Sequence, residues 1–154
     1  MTKLQPGDQA PNFTSKDEQG QTVSLSDYKG KKLVIFFYPK ASTPGCTVEA
    51  CNLRDNYERF QALGYEILGV SADSERRQTN FKTKNNFPYA LLADEDKAVI
   101  NAFGVWGPKK FMGKEYEGIH RTTFVIDENG VIEDVILKVK TKEHSKQILK
   151  DDLV

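Results

Sequence analysis

The sequence predicts an α/β fold: a central mixed sheet flanked by helices. Three observations carry that expectation. Leu33-Val34-Ile35-Phe36-Phe37-Tyr38 is an unbroken apolar, aromatic and β-branched run of strand length, which suits a strand covered on both faces. Thr43-Pro44 then reads as an N-cap followed by proline at the first helical position, with no breaker before Gly64. Beyond that, Tyr65 to Ala72 and Ala90 to Leu92 alternate as apolar strands with the helical stretches Ser74 to Asn85 and Lys97 to Phe103.

In chain order, Phe13 to Ser15 and Thr22 to Leu25 bracket the turn signal Asp17-Glu18-Gln19-Gly20 and predict a small hairpin acting as a lid or edge. Ser26 to Gly30 reads as one helical turn with a glycine stop. Pro39, which has no N–H for a ladder, turns the chain out of the central strand into the loop Lys40 to Pro44. In the following helix Cys46, Ala50, Leu53, Tyr57 and Phe60 form an inward stripe at helical spacing. Cys51 lies about 140° further round than Cys46 and shares a face with Asp55 and Glu58, which points it toward solvent. Ser74 caps the next helix, with Glu75 in its first turn. Gly104 to Gly118 reads as a mobile loop; Trp106, Phe111 and Met112 in it either dock a partner or simply cover the core, and the second reading is preferred. Arg121 to Ile126 is a strand, Asp127 to Gly130 a turn, Val131 to Val139 an antiparallel return, and Glu143 to Asp152 a closing helix.

The length of 154 residues suits a single domain spanning 1–154. Equal totals of 22 basic and 22 acidic residues give no electrostatic case for nucleic acid or an anionic membrane. The start, MTKLQPGDQAPNF, has no apolar core of signal length, and no run is long enough to span a bilayer, so a cytoplasmic protein is expected. In a reducing compartment two cysteines are catalytic or metal-binding more often than a permanent bridge.

Cys46 falls in the first turn of its helix, where free backbone N–H groups and the positive end of the helix dipole make a thiol ionise more readily. A thiolate there is a nucleophile. The segment PKASTPGC, followed by TVEAC and LRD, closely resembles the active-site segment of peroxiredoxins of the Q type, the bacterioferritin comigratory proteins. The resemblance runs from PGDQAPNF near the start to GIHRTTFVIDENG at Gly118 to Gly130. It implies a thioredoxin-like fold with an N-terminal β-hairpin extension, and a thiol peroxidase that reduces hydrogen peroxide and organic hydroperoxides without a cofactor or metal. It further implies that Cys46 attacks the peroxide, that the Thr43 hydroxyl contacts thiolate and peroxide, and that the Arg121 guanidinium holds the thiolate and stabilises developing charge. Pro39 would shield the pocket from water. The Cys46 sulfenic acid would condense with Cys51, with thioredoxin, or else glutaredoxin, as reductant. Nothing demands an oligomer, and a monomer is expected.

Other readings remain open on the residues. Cys46 alone could be an inert buried thiol, Cys51 a bystander, Thr43 only a cap and Arg121 a surface ion-pair residue. Glu49 is explained as a first-turn acid favouring the dipole, and His120 and His144 as solvated. A thioredoxin-like disulfide oxidoreductase or redox-sensing protein is the alternative function, but four residues separate Cys46 from Cys51 where the exchange motif has two. A zinc module built from both cysteines and both histidines lacks paired spacing. If the two cysteines do pair, the helix must open: residues five apart in an α-helix have Cα atoms about 8.6 Å apart, beyond the roughly 7 Å a disulfide tolerates.

Overall fold

A computed structural model of the chain describes residues 1–150; the last part of the predicted closing helix, Asp151 and Asp152, lies outside them. A five-stranded mixed sheet organises the rest. Its strands are β3 (Lys32–Phe37), β4 (Tyr65–Ser71), β5 (Ala90–Ala93), β8 (Thr122–Ile126) and β9 (Ile132–Ile136), in the order β5-β4-β3-β8-β9. β3 pairs parallel with β4 and antiparallel with β8; β4 pairs parallel with β5, and β8 antiparallel with β9. The apolar run predicted from Leu33 is thus the central strand, and it needs no polar face because both faces are covered.

Alternation along β3 divides the core in two. Leu33, Ile35 and Phe37 face one cluster with Phe124, Ile126 and the Phe103 ring. Val34, Phe36 and Tyr38 face the other, with Cys46, Ala50 and Leu53 of α1 (Pro44–Asp55), Phe60 of α2 (Tyr57–Ala62), Phe81 of α3 (Glu75–Asn85) and Ile148 of α5 (His144–Leu149). The first face is closed by α4 (Ala98–Ala102) and by the hairpin of β1 (Thr14–Lys16) and β2 (Thr22–Ser24). That hairpin is the predicted edge element: Asp17 bridges to Leu92 of β5, and the buried Glu18 carboxylate accepts from the Leu91 N–H and from Lys82. The remaining predicted strands and helices fall close to their expected places, and the Ser74 hydroxyl accepts from the Arg77 N–H as its cap role requires.

Two expectations are corrected. The helix after Pro44 does not run unbroken to Gly64, because Asn56 interrupts it between α1 and α2; the Asn56 side chain donates to the Asn52 carbonyl at 2.8 Å, a local bond that competes with the helical ladder. Nor is Gly104 to Gly118 a loop. It holds an antiparallel ribbon, β6 (Trp106–Phe111) with β7 (Lys114–Ile119), closed by Met112-Gly113 with φ of 50° and 80°. Positive φ at both turn residues gives the twist a two-residue hairpin needs, and a two-stranded ribbon has the outer positions where Pro108 is tolerated. Trp106 packs on the core, as the preferred reading had it. Phe111 and Met112 do not: at the ribbon tip they are 65% and 87% exposed.

Candidate active site

Where β3 ends, the chain is held rather than loose. Tyr38 still donates its N–H to Val70, Pro39 is half-buried, and Ser42 turns the chain with φ of 64°. The Ala41 N–H is taken by Asp73 Oδ2 at 2.7 Å. Asp73 also accepts from the Ser71 hydroxyl, which accepts from the Gln78 side chain, whose oxygen accepts from the Tyr38 hydroxyl at 2.6 Å. This buried chain of fully partnered groups fixes the approach to α1. The sequence analysis singled out none of Ser71, Asp73 and Gln78, because they are spread over the end of a strand, the link after it and the next helix, and meet Tyr38 only in the fold.

Thr43 precedes α1 in extended conformation, but its hydroxyl donates to the Lys40 carbonyl at 2.7 Å rather than capping the helix. Its carbonyl accepts from the N–H and hydroxyl of Thr47. Cys46, 1% exposed, points inward from the first turn, as the stripe predicted. Arg121, in the short link between β7 and β8, extends over it, with Nη2 3.3 Å from Cys46 Sγ and Nη1 2.6 Å from Glu49 Oε1. Gly45 leaves room for this: a Cβ there would stand 3.3 Å from Nη2. Burial opposes the Arg121 charge, but Glu49 and Cys46 outweigh it and raise the guanidinium pKa.

Glu49 and His144 overturn their readings. Glu49 lies beyond the first turn of α1 and is fully buried; burial pushes its pKa up to about 7 against the pull of Arg121. His144 is not solvated but fully buried at the start of α5, bonded to Thr123 and Gln147 and 3.3 Å from Glu49 Oε2. Burial, and to a lesser degree Arg121, lower its pKa to about 4, although the Gln147 bond opposes this. A helix stripe that alternates Cys46 with an acid at Glu49 was the available signal for a buried acid, since both positions point the same way. His120, by contrast, is half-buried, with a ring nitrogen 2.9 Å from the Pro108 carbonyl.

Cys51 is also less exposed than its helical face implied. It is half-buried against the α1 side of the core, its Sγ 3.8 Å from Asn85 Oδ1, and burial, followed by Asp55 and opposed by Arg54, raises its thiol pKa. Both cysteines are free thiols. The intervening turn is tied down: Ala50 O accepts from the Tyr89 hydroxyl at 2.7 Å, and Asn52 exchanges bonds with Ser145 and Lys142. A surface depression lined by Met1, Lys109, His120, Arg121, Thr122, Leu137, Lys138 and Val139 has Arg121 in its wall but none of Cys46, Thr43 or Pro39.

The model of the AhpC/TSA family matches residues 6–135 of the chain. The chain is 48% identical over 151 residues to peroxiredoxin Bcp of Bacillus subtilis and 46% identical over 149 residues to peroxiredoxin Bcp of Escherichia coli, covering 96% and 97% of this chain and 96% of each relative. Among solved structures, the bacterioferritin comigratory protein of Xanthomonas campestris, studied for its alkyl peroxide reduction, superposes with a TM-score of 0.85 at 35% identity, covering 92% of this chain and 90% of that one.

Proposed function

Because this chain belongs to the AhpC/TSA family and is a thiol peroxidase with the thioredoxin fold of its peroxiredoxin neighbours, we propose that Cys46 is its peroxide-reacting thiol and the whole chain its single catalytic domain. The observation that carries the assignment is Arg121 Nη2 3.3 Å from a buried Cys46 Sγ at a helix start. The sulfur attacks one peroxide oxygen, the O–O bond breaks, and the other oxygen leaves with the electron pair and takes a proton as water or alcohol. Arg121 donates to the sulfur in the resting state and to the departing oxygen as charge moves there. Thr43 sits one turn before Cys46 with its hydroxyl oxygen available to orient the peroxide, and the half-buried Pro39, by the family resemblance, shields the thiol from water.

The Cys46 sulfenic acid then condenses with the Cys51 thiol, releasing water and forming a disulfide, which a dithiol reductant of the thioredoxin or glutaredoxin kind returns to two thiols. The likeness to a bacterioferritin comigratory protein studied for alkyl peroxide reduction supports organic hydroperoxides as substrates beside hydrogen peroxide. The chain acts as a monomer in the cytoplasm; no described helix is long and apolar enough to cross a membrane. Peroxide consumption with a thioredoxin system tests the centre of this reading: Cys46→Ser abolishes turnover, and a Cys46→Ser protein that keeps substantial activity refutes it.

A further inference from the structure

The core occupies Trp106 of the β6–β7 ribbon but leaves the ribbon's outer part without a task. Alternation along the ladder gives the ribbon two faces. On one stand Trp106, Pro108 and Lys110 with Glu115, Glu117 and Ile119; there Trp106 Nε1 donates to Glu117 at 3.0 Å, and Lys110 pairs across from Glu115. The other face carries Lys109 opposite Tyr116 and Phe111 opposite Lys114, with Gly107 and Gly118 at its base. Gly118 makes room there, since a Cβ would stand 3.2 Å from Lys109 Cδ and 3.4 Å from the Tyr116 ring. Lys109 also continues this face into the depression beside Arg121, whose apolar wall is Met1, Leu137 and Val139.

One strip therefore runs from Leu137 through Lys109 and Tyr116 to the ribbon tip. It gathers five of the seven large apolar side chains exposed among the described residues: Met1, Phe111, Met112, Tyr116 and Leu137. The other two, Val48 and Leu63, lie on α1 and after α2. The charges along the strip have one sign, from Lys109, Lys114, Arg121 and Lys138, with no carboxylate on this ribbon face or among the residues lining the depression. The equal totals of basic and acidic residues over the whole chain conceal that local separation. Exposed apolar side chains gathered in one patch mark an interaction surface, and cations among them call for an anionic partner.

We propose that this strip docks the chain reversibly on an anionic lipid surface, with Phe111 and Met112 entering between the headgroups and the lysines meeting the lipid phosphates. The shape of the tip favours lipid over an acidic protein. Phe111 and Met112 stand at a convex hairpin end, Met112 in the turn itself with φ of 50°, and are 65% and 87% exposed. A protein partner would need a cleft formed to receive them, whereas a fluid headgroup layer closes round a convex tip from all sides. The tip also enters without loose backbone, because the ladder is paired out to Phe111 and Lys114. Lysine stems lie along the apolar side chains and carry their ammonium groups up to headgroup level. A bilayer met in this way is touched and not crossed, and the docking is independent of the assignment of Cys46.

Co-sedimentation of the reduced, full-length chain with vesicles tests it, comparing phosphatidylcholine alone with phosphatidylcholine holding one part in three of phosphatidylglycerol. Wild type binds the anionic vesicles at low salt, binds the neutral ones weaker by about tenfold or more, and is released near 1 M salt, where the screening length is about 3 Å. Phe111→Ser combined with Met112→Ser lowers the affinity by about tenfold or more through lost apolar burial. Lys114→Glu, a change of two charge units at about fivefold each, lowers it roughly twenty-five-fold. Both variants alter exposed positions, so thermal unfolding and hydrogen peroxide turnover stay at wild-type values. Equal binding to the two vesicle types, or anionic binding unchanged in either variant, overturns the proposal. Absence of vesicle binding overturns it too; the strip then belongs to a second copy if sedimentation velocity shows self-association that the tip changes abolish, and to another protein if it does not.

Discussion

Cys46 and Cys51 stand five residues apart on one helix in opposite surroundings. The first sulfur is sealed from solvent and faces a guanidinium held by a buried acid; the second is half-buried, faces an amide oxygen at 3.8 Å, and has its ionisation suppressed by burial. The difference separates two tasks. A nucleophile needs a charge partner and a dry, fixed site, while a thiol that waits for a sulfenic acid needs neither until the helix opens. On the proposed reading, the surroundings of the first sulfur serve it continuously, and the second sulfur serves only after a local unfolding.

Exchanging the cysteines' tasks is the strongest way to break that contrast. Cys51→Ser should remove steady turnover with a thioredoxin system while a single equivalent of peroxide still converts Cys46 to a sulfenic acid, detected by trapping with a 1,3-diketone and mass spectrometry. Full turnover in Cys51→Ser would make Cys51 a bystander. Next, Arg121→Ala should slow single-turnover oxidation of Cys46 by roughly a hundredfold to a thousandfold, the usual cost of losing one preorganised donor to a developing anion. Arg121→Lys should recover little, because one ammonium cannot reach both Glu49 Oε1 and the sulfur as the two guanidinium nitrogens do. A loss of only a few-fold in either variant would make Arg121 a bystander to the sulfur.

Much of this contrast was legible in the chain. PKASTPGC at the end of an apolar strand and the helical stripe pointed Cys46 inward at a helix start, whereas the pairing of Arg121 with it came only from the family resemblance. Patterns that depend on periodicity survive folding because the core enforces them. Glu49 and His144 were misread because each is defined by contact with distant residues, Arg121 72 positions on for Glu49 and Thr123 of β8 under α5 for His144, which no local pattern reports. The ribbon β6–β7 was missed because its turn, Met112-Gly113, lacks an asparagine or aspartate ahead of the glycine. Asn56 hid in a helical pattern since asparagine is only mildly unfavourable there.

The acid–base pair behind Cys46 gives a smaller effect, on stability, that has no counterpart behind Cys51. Folding raises Glu49 from 4.5 to about 7, so the folded chain holds that proton more tightly and the stability it contributes is lost as pH rises from 4.5 to about 7. Folding lowers His144 from 6.5 to about 4, so its contribution is lost as pH falls from 6.5 to about 4. In the overlap the two slopes oppose each other, since folded and unfolded chains each carry one proton on the pair and differ only in which partner holds it. Urea unfolding across this range should therefore show the difference between variant and wild type growing in opposite directions: Glu49→Gln loses stability relative to wild type as pH falls, and His144→Gln loses it as pH rises. Parallel curves would mean that the pair does not titrate on folding.

The mildest test sharpens the contrast at the turn between the cysteines, where α1 must open for the sulfurs to meet. Tyr89 holds that turn from the core side through its hydroxyl on Ala50 O, while its ring stacks on Phe87 with centroids 5.5 Å apart and meets the Phe36 ring edge-on. Tyr89→Phe keeps both ring contacts and removes only the hydroxyl. The lost bond costs about 1 kcal/mol, which multiplies the open fraction of the helix by roughly five. If closure of the disulfide waits on that opening, the second phase after peroxide addition should accelerate by about the same factor, and hydrogen exchange over residues 46–52 of the reduced protein should quicken with it. On the proposed reading the first phase reports attack at Cys46 and serves as the internal reference. A second phase and an exchange rate both equal to wild type would show that the turn is held by Asn52 and α5 rather than by Tyr89, and would move the hinge of the opening to the other side of the helix.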